Sequence, residues 1–157
     1  MATYPPSVRA LAAATGVSVR AATASHDADF RHGTDQLAAL DREQVGLVLG
    51  DVLRMLLEER HPGGLSGDDA GEVITGCARE ASSWFSEVDV DVLVVVLAGA
   101  LGIHPDGDDQ PRVPTPLELA RHACLLVAHL LGPTEQVDDY LTAAFAEILR
   151  AETVELP

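Results

Sequence analysis

The chain has 157 residues, of which 47% are hydrophobic and 4% aromatic, and its net charge is −15. This length fits one domain, and a core of Ala, Val and Leu in segments of helical period indicates an all-α protein rather than a sheet protein. The negative charge repels phosphate backbones and anionic lipid headgroups, so nucleic acid and membranes are poor partners. A protein partner, in particular a basic one, fits the charge better.

The charge is unevenly distributed along the chain. Residues 1–34 hold 3 Arg and 2 Asp, which gives +1, and the remainder holds 7 Arg and 23 acids, which gives −16. We interpret residues 1–34 as a mobile N-terminal arm, because its second half contains a single large apolar residue, Phe30. The prediction for the rest is one helical domain over residues 35–152 and a frayed tail over residues 153–157.

One segment of the arm, VRALAAATGVSVRAA at residues 8–22, resembles a known motif. It is similar to the opening of a DNA-binding helix-turn-helix, with Leu11 on the first helix and Gly16 at the turn. The match is short and departs from the motif at Ala22 and Ser25, where the second helix would carry apolar residues. The resemblance implies an alternative function, a ligand-sensing domain of the transcriptional-regulator type whose DNA-binding element has degenerated.

Five helices are predicted after the arm, from apolar residues that recur at the period of about 3.6 residues. Asp41 and Thr115 are followed three residues later by Gln44 and Glu118, which is the spacing of a capping box. A loop rich in proline, glycine and aspartate is predicted between the third and fourth helices, over residues 104–114. The five helices are predicted over residues 41–60, 66–85, 88–103, 115–131 and 134–152.

The stretch from Val88 to Ile103, VDVDVLVVVLAGALGI, is the most apolar in the chain. Its first residues alternate as a strand would, but no other segment alternates and could pair with it, so we predict a helix. Because a helix that is apolar on every side is normally buried, the predicted architecture is a compact bundle of about five helices around this central helix. The apolar run is shorter than the ~20 residues that span a bilayer.

Glu118, His122 and His129 are the strongest candidates for metal ligands. Spacings of four and seven residues put them on one helix face, and a carboxylate with two imidazoles can hold zinc or iron. However, the two histidines are two turns apart, roughly 10 Å along the axis, and no second helix supplies further ligands. We therefore predict no metal site and no cofactor.

Two other groups of residues could carry chemistry. Asp106, Asp108 and Asp109 suggest a calcium loop, but position 12 of such a loop, counted with Asp106 as position 1, is Leu117, where an EF-hand requires glutamate. Cys77 and Cys124 lie among apolar residues and form no CxxC pair, so we interpret them as buried, reduced thiols rather than nucleophiles. Together with the absence of a signal-peptide pattern, they indicate a cytoplasmic protein.

Small residues recur every fourth position in two of the predicted helices. Ala120, Cys124 and Ala128 form one such stripe, and Ala98 and Gly102 form another. Stripes of this kind let helix axes approach closely, which predicts either a tight intramolecular bundle or a helix-to-helix homodimer face.

The sequence contains no phosphate-binding loop, no nucleophile elbow and no paired inward carboxylates. We therefore predict that the protein is not an enzyme. The predicted function is that of an acidic helical protein that binds another protein as an adaptor, regulator or inhibitor.

Overall fold

The computed structural model describes residues 4–103, 113–132 and 135–155, and within these ranges the chain forms helices and connecting turns with no strand. The prediction of an all-α protein is therefore confirmed. Most of the predicted loop over residues 104–114 lies outside the described residues. The described part contains seven helices, α1 to α7 in chain order: Pro6–Thr23, Asp27–Ala38, Arg42–Arg60, Gly67–Ser82, Val90–Ala100, Pro116–Leu130 and Val137–Glu155.

Side-chain caps begin several of these helices where the sequence predicts them. At the start of α3 the Asp41 carboxylate accepts a hydrogen bond from the backbone N–H three residues later, at 3.1 Å. Reciprocal capping boxes begin α4, between Ser66 and Asp69, and α6, between Thr115 and Glu118. Each cap satisfies backbone N–H groups that the helix itself leaves unpaired. The predicted starts of α3, α4 and α6 are confirmed.

The N-terminal segment differs from the prediction, because α1 and α2 occupy most of it. Leu11 of α1 and Phe30 of α2 are completely buried. The Phe30 ring lies edge-on to Trp84 and Phe85, with centroid distances of 5.1 Å and 5.2 Å. The described part of residues 1–34 is therefore not the predicted mobile arm, because apolar residues of both helices, such as Leu11, Val19 and Phe30, are buried in the core.

Small residues allow α1 and α2 to pack closely against each other. Ser18 of α1 is buried, and its hydroxyl donates to the Ala14 carbonyl at 2.8 Å. A Cβ built on Gly33 of α2 would lie 2.5 Å from Ser18 Oγ and 3.1 Å from the Ser18 backbone nitrogen. The backbones of α1 and α2 thus approach as closely as glycine and serine allow, which buries area without large side chains.

Two further expectations for the N-terminal region are corrected. α1 continues as one helix through Gly16, which is buried, so the turn of the helix-turn-helix resemblance does not exist. α2 runs across residue 34, so no boundary lies there. At the other end of the chain, α7 extends to Glu155, into the segment expected to fray from residue 153.

The central helix is α6 rather than α5. Eight of the 15 residues of α6 are buried, and α6 packs against α1, α2, α3, α4 and α5. In α5 the buried residues are Val92, Leu93 and Leu97. The predicted bundle of about five helices around the apolar stretch 88–103 is therefore not confirmed: the five predicted helices are present as α3 to α7, but α1 and α2 precede them in the described residues, and α6 takes the central position.

Arg121 connects the central helix to two other parts of the fold. Its side chain is 12% exposed, and its Nε donates to Thr34 Oγ1 at 3.1 Å. Its Nη2 donates to Asp35 of α2 at 3.1 Å, and its Nη1 donates to Glu87 at 3.2 Å, in the turn between α4 and α5. These bonds hold the chain that leads into α5 against α2 and α6.

Candidate binding surfaces on helix α5

His122 of the central helix determines where α5 begins. Its Nε2 accepts a hydrogen bond from the Asp89 backbone N–H at 2.9 Å, and its Nδ1–H donates to the Glu118 carbonyl at 2.7 Å. Asp89 then caps α5, since its carboxylate accepts from the N–H groups of Asp91 and Val92. Because the Asp89 amide can only donate, the imidazole must be neutral. Burial lowers the pKa of His122 below its usual 6.5, against the opposing effect of the Glu118 carbonyl.

One face of α5 is both apolar and exposed. Val90 and Val94 are 50% and 48% exposed, and Ile103, just beyond the helix, is 58% exposed. Between this face and α4 lies a concavity of about 310 Å³, which we call the outer groove. It is lined by Ala70, Gly71, Ile74 and Thr75 from α4 and by Val94, Leu97, Ala98, Leu101 and Ile103.

The outer groove has an acidic border. Asp68 and Glu72 of α4 and Asp91 of α5 are exposed. Each lies three residues before a lining residue of its own helix, and residues three apart are neighbours on a helix surface. Within the described residues, none of the three carboxylates forms an ion pair. The groove is therefore an apolar surface beside uncompensated negative charge.

A second concavity, which we call the inner groove, lies where α5 faces α2, α3 and α6. Its volume is about 320 Å³. Its walls include Leu49 of α3, Val96 of α5 and Leu119 of α6, and one ionisable side chain, Arg42, is among its lining residues. Neither groove brings two ionisable side chains together in its lining, which acid–base or nucleophilic chemistry would need. Both can cover apolar groups of a bound molecule.

The sequence-derived metal candidates do not converge. Glu118 closes the capping box of α6, and His122 is buried with both nitrogens bonded to backbone groups. His129 bonds Glu80 of α4 at 3.0 Å. Within the described ranges no group of three or more His, Cys, Asp or Glu side chains could hold a metal ion. Asp106, Asp108 and Asp109 lie outside the described residues.

Both cysteines are buried and free, and the structure places them in the core rather than at a site. Burial raises the pKa of the Cys77 thiol to about 12. Burial also raises the pKa of the Cys124 thiol to about 12, although a hydrogen bond with Ser18 acts in the opposite direction. A thiol with so high a pKa is almost entirely protonated at neutral pH, and the protonated form is a poor nucleophile.

The small-residue stripe of α6 packs largely against helices of the same chain. Ala120 and Cys124 are 3% and 0% exposed, so they face the other helices of the same chain. Ala120 and Cys124 therefore serve packing between helices of one chain. On the apolar helix, Ala98 lines the outer groove, and Gly102 follows the helix with a positive φ of 74°.

Comparisons with known proteins give no relative for this chain. No protein-family model, no curated protein and no solved structure matches it. None of the helices in the described residues is both long enough and apolar enough to cross a bilayer. Any function must therefore be argued from the surfaces described above.

Sequence reasoning missed the residues that shape both grooves. The sequence predicts Val94 in the core as part of the apolar run, because hydropathy alone does not distinguish an apolar face that meets the protein from one that meets solvent. Gly46 and Gly50 of α3 both line the inner groove, at an i, i+4 spacing on one helix. Two glycines inside a predicted helix are the sequence feature that could have indicated the inner groove, since glycine inside a helix lowers helix stability.

Proposed function

We propose that this protein is a non-catalytic binding protein whose outer groove takes the apolar stripe of a basic amphipathic helix from another protein. The observation that carries the proposal is the exposure of Val90, Val94 and Ile103 on the most apolar segment of the chain. Contiguous apolar surface in contact with water is unfavourable and is characteristic of interaction sites.

Charge complementarity supports a basic partner. Asp68, Glu72 and Asp91 border the groove, and the whole chain carries −15. Lysines or arginines flanking a partner's apolar stripe would meet these carboxylates and would accelerate association. A second copy of this chain would instead place like charges opposite one another, which disfavours a homodimer through this groove.

The composition of the groove supports packing rather than catalysis. Nine residues line it, and Thr75 is the one with a polar side chain. A helix-in-groove interaction needs apolar anchors at i, i+3, i+4 and i+7 of the partner, and such anchors fit a concavity between two helices. A cytoplasmic location is part of the proposal and is supported by two free, buried cysteines.

A synthetic peptide tests the proposal directly. The peptide carries leucines at i, i+3, i+4 and i+7 with lysines elsewhere and a fluorophore, and its anisotropy is followed during titration with protein at about 0.15 M ionic strength. We expect saturable binding to the native protein. Replacing Val94 with Gln removes an apolar contact without changing charge, and we expect about tenfold weaker binding.

Two controls separate the groove from general attraction between opposite charges. Leu47→Gln changes an apolar side chain that is 62% exposed elsewhere on the surface, and binding should be unchanged. A peptide with serine in place of leucine should bind at least tenfold more weakly. Equal affinities of the Val94 and Leu47 variants would contradict the proposal. A dimeric solution mass that Val94→Gln converts to monomer would assign the groove to a second copy instead.

A further inference from the structure

The inner groove has the volume and the lining of a small-molecule site. Its volume of about 320 Å³ is about twice that of the 150 Å³ apolar cavity that holds benzene, so it can accept roughly twelve carbon atoms. Its lining is apolar except at Arg42. Pockets with an apolar wall and one placed polar group are typical of sites for small organic ligands.

Glycines keep the inner groove open. Gly46 and Gly50 of α3 and Gly99 of α5 all line it, and a Cβ built on any of the three would meet no atom within 4 Å. These glycines are therefore not required for close helix packing, unlike Gly33. Glycine inside a helix is less favourable than alanine. Three such positions around one concavity keep free a volume that alanine side chains would reduce.

Arg42 supplies a positive charge to the lining of this groove. It is the first residue of α3, it is exposed, and within the described residues it forms no ion pair. The neighbouring Asp41 carboxylate is engaged by the Gln44 backbone N–H. The N-terminus of a helix also favours negative charge. A ligand whose apolar body fills the groove would therefore gain most from an anionic end group at Arg42.

We propose that the inner groove binds an unbranched aliphatic carboxylate of about ten to twelve carbons. The chain lies between α3 and α5 beside the three glycines, and the carboxylate pairs with the Arg42 guanidinium. Each methylene covered contributes about 0.8 kcal/mol, so affinity should increase about fourfold per carbon until the groove is filled. This site is separate from the outer groove, and its occupant is independent of the protein partner proposed above.

Calorimetric titration with decanoate, below its micellar concentration, tests the proposal, with decanol as the neutral analogue. We expect one saturable site for decanoate. Arg42→Gln should weaken decanoate binding about tenfold and leave decanol binding unchanged, because a charge-assisted hydrogen bond is lost from the first ligand alone. Val94→Gln, on the outer groove, is the matched control and should leave both affinities unchanged.

Filling the groove gives a second, independent readout. Gly50→Leu and, from the opposite wall, Gly99→Leu should each abolish decanoate binding while thermal melting shows a folded protein. Using both variants keeps the test valid if one of them does not fold. Equal affinity for decanoate and decanol would overturn the carboxylate assignment. Absence of saturable binding, or decanoate binding that persists in both folded leucine variants, would overturn the site itself.

Discussion

A single imidazole joins the central helix to the start of α5. His122 is 2% exposed, and both of its nitrogens are engaged in the neutral state, one as acceptor from Asp89 and one as donor to Glu118. Protonation would place an N–H on Nε2 facing the Asp89 N–H, so the bond that positions the cap of α5 would be lost. The sequence could show His122 only as one of two histidines on a helix.

His122 should make stability depend on pH below neutrality. Its pKa is lowered in the folded state by burial, so the unfolded chain binds the proton first as pH falls. The contribution is complete above about 6.5, the usual histidine pKa, and is lost as pH falls from there through the folded pKa, with a slope of at most about 1.4 kcal/mol per pH unit. Urea unfolding at several pH values measures it.

His122→Gln provides the comparison, because glutamine can donate and accept without titrating. We expect this variant to lose less stability than the native protein between pH 7.5 and pH 5. His32→Gln, which changes an exposed histidine, should follow the native curve. Identical pH dependence in the native protein and His122→Gln would show that the buried imidazole does not contribute.

Replacing glycine with alanine should change the free energy of unfolding in opposite directions at Gly33 and Gly46. At Gly33 the added Cβ would lie 3.1 Å from the Ser18 backbone nitrogen, which cannot rotate away. Gly33→Ala should therefore destabilise the fold by about 1–3 kcal/mol, as overpacking does. At Gly46 a Cβ meets nothing within 4 Å, so Gly46→Ala should stabilise by about 1 kcal/mol through helix propensity. Denaturant midpoints of the two variants decide this, and a shift of the same sign in both would contradict it.

At the level of helices, α5 shows how a strong sequence signal can indicate the correct secondary structure and the wrong location. Asp89 begins this helix as its capping position predicts. The apolar residues beyond it are divided between the core, which takes Leu93 and Leu97, and the surface, where Val90 and Val94 remain exposed. One face of α5 is thus buried and the other exposed, although both faces carry apolar residues. An apolar outer face of this kind is what a partner could cover.

The two faces of α5 should respond differently to the same charge. Leu97→Asp buries an unpaired carboxylate at a position that is 4% exposed, and several kcal/mol of desolvation exceed what a marginally stable domain tolerates. Val94→Asp, at 48% exposure, should leave the fold intact. Val95 lines the inner groove and is half-buried. An aspartate at Val95 would be less completely desolvated, so Val95→Asp tests the location of the core less stringently than Leu97→Asp. Circular dichroism melts measure the outcome, and a cooperatively melting Leu97→Asp variant would show that this face is not in the core.

Across the whole molecule, carboxylates outnumber arginines by 25 to 10. Several arginines pair with more than one acid: Arg54 contacts Asp51, Glu58 and Glu147. Ten arginines nevertheless cannot neutralise 25 carboxylates, so the chain keeps a net charge of −15. The folded chain therefore experiences net self-repulsion that the expanded chain relieves.

Salt should stabilise this protein. Raising ionic strength from about 0.01 M to about 0.1 M shortens the screening length from about 30 Å to about 10 Å, which weakens long-range repulsion more than it weakens short ion pairs. We expect the urea midpoint to rise. A variant with Glu72→Gln and Glu152→Gln, both exposed positions, should be more stable than the native protein at low salt and should differ less from it at high salt. A midpoint that falls with salt would indicate that ion pairs dominate.

Local interactions determined much of this protein from its sequence alone. The all-α class and the starts of α3, α4 and α6 follow from capping side chains and apolar period, which act within a few residues of one another. The sequence did not predict that α1 and α2 pack into the core, because local interactions do not determine this packing. Their burial depends on Phe30 meeting Trp84 and Phe85, and on Gly33 meeting Ser18, contacts between separate elements that no local pattern encodes.

The tertiary structure alone decided which helix is central and where the binding surfaces lie. Hydropathy measures how unfavourable water is for a segment, but it does not say what covers that segment. α6 became the core because five helices pack around it, and α5, the most apolar segment, was left with one face in solvent and another along the inner groove. Both grooves lie along α5 because the neighbouring helices leave part of its apolar surface uncovered.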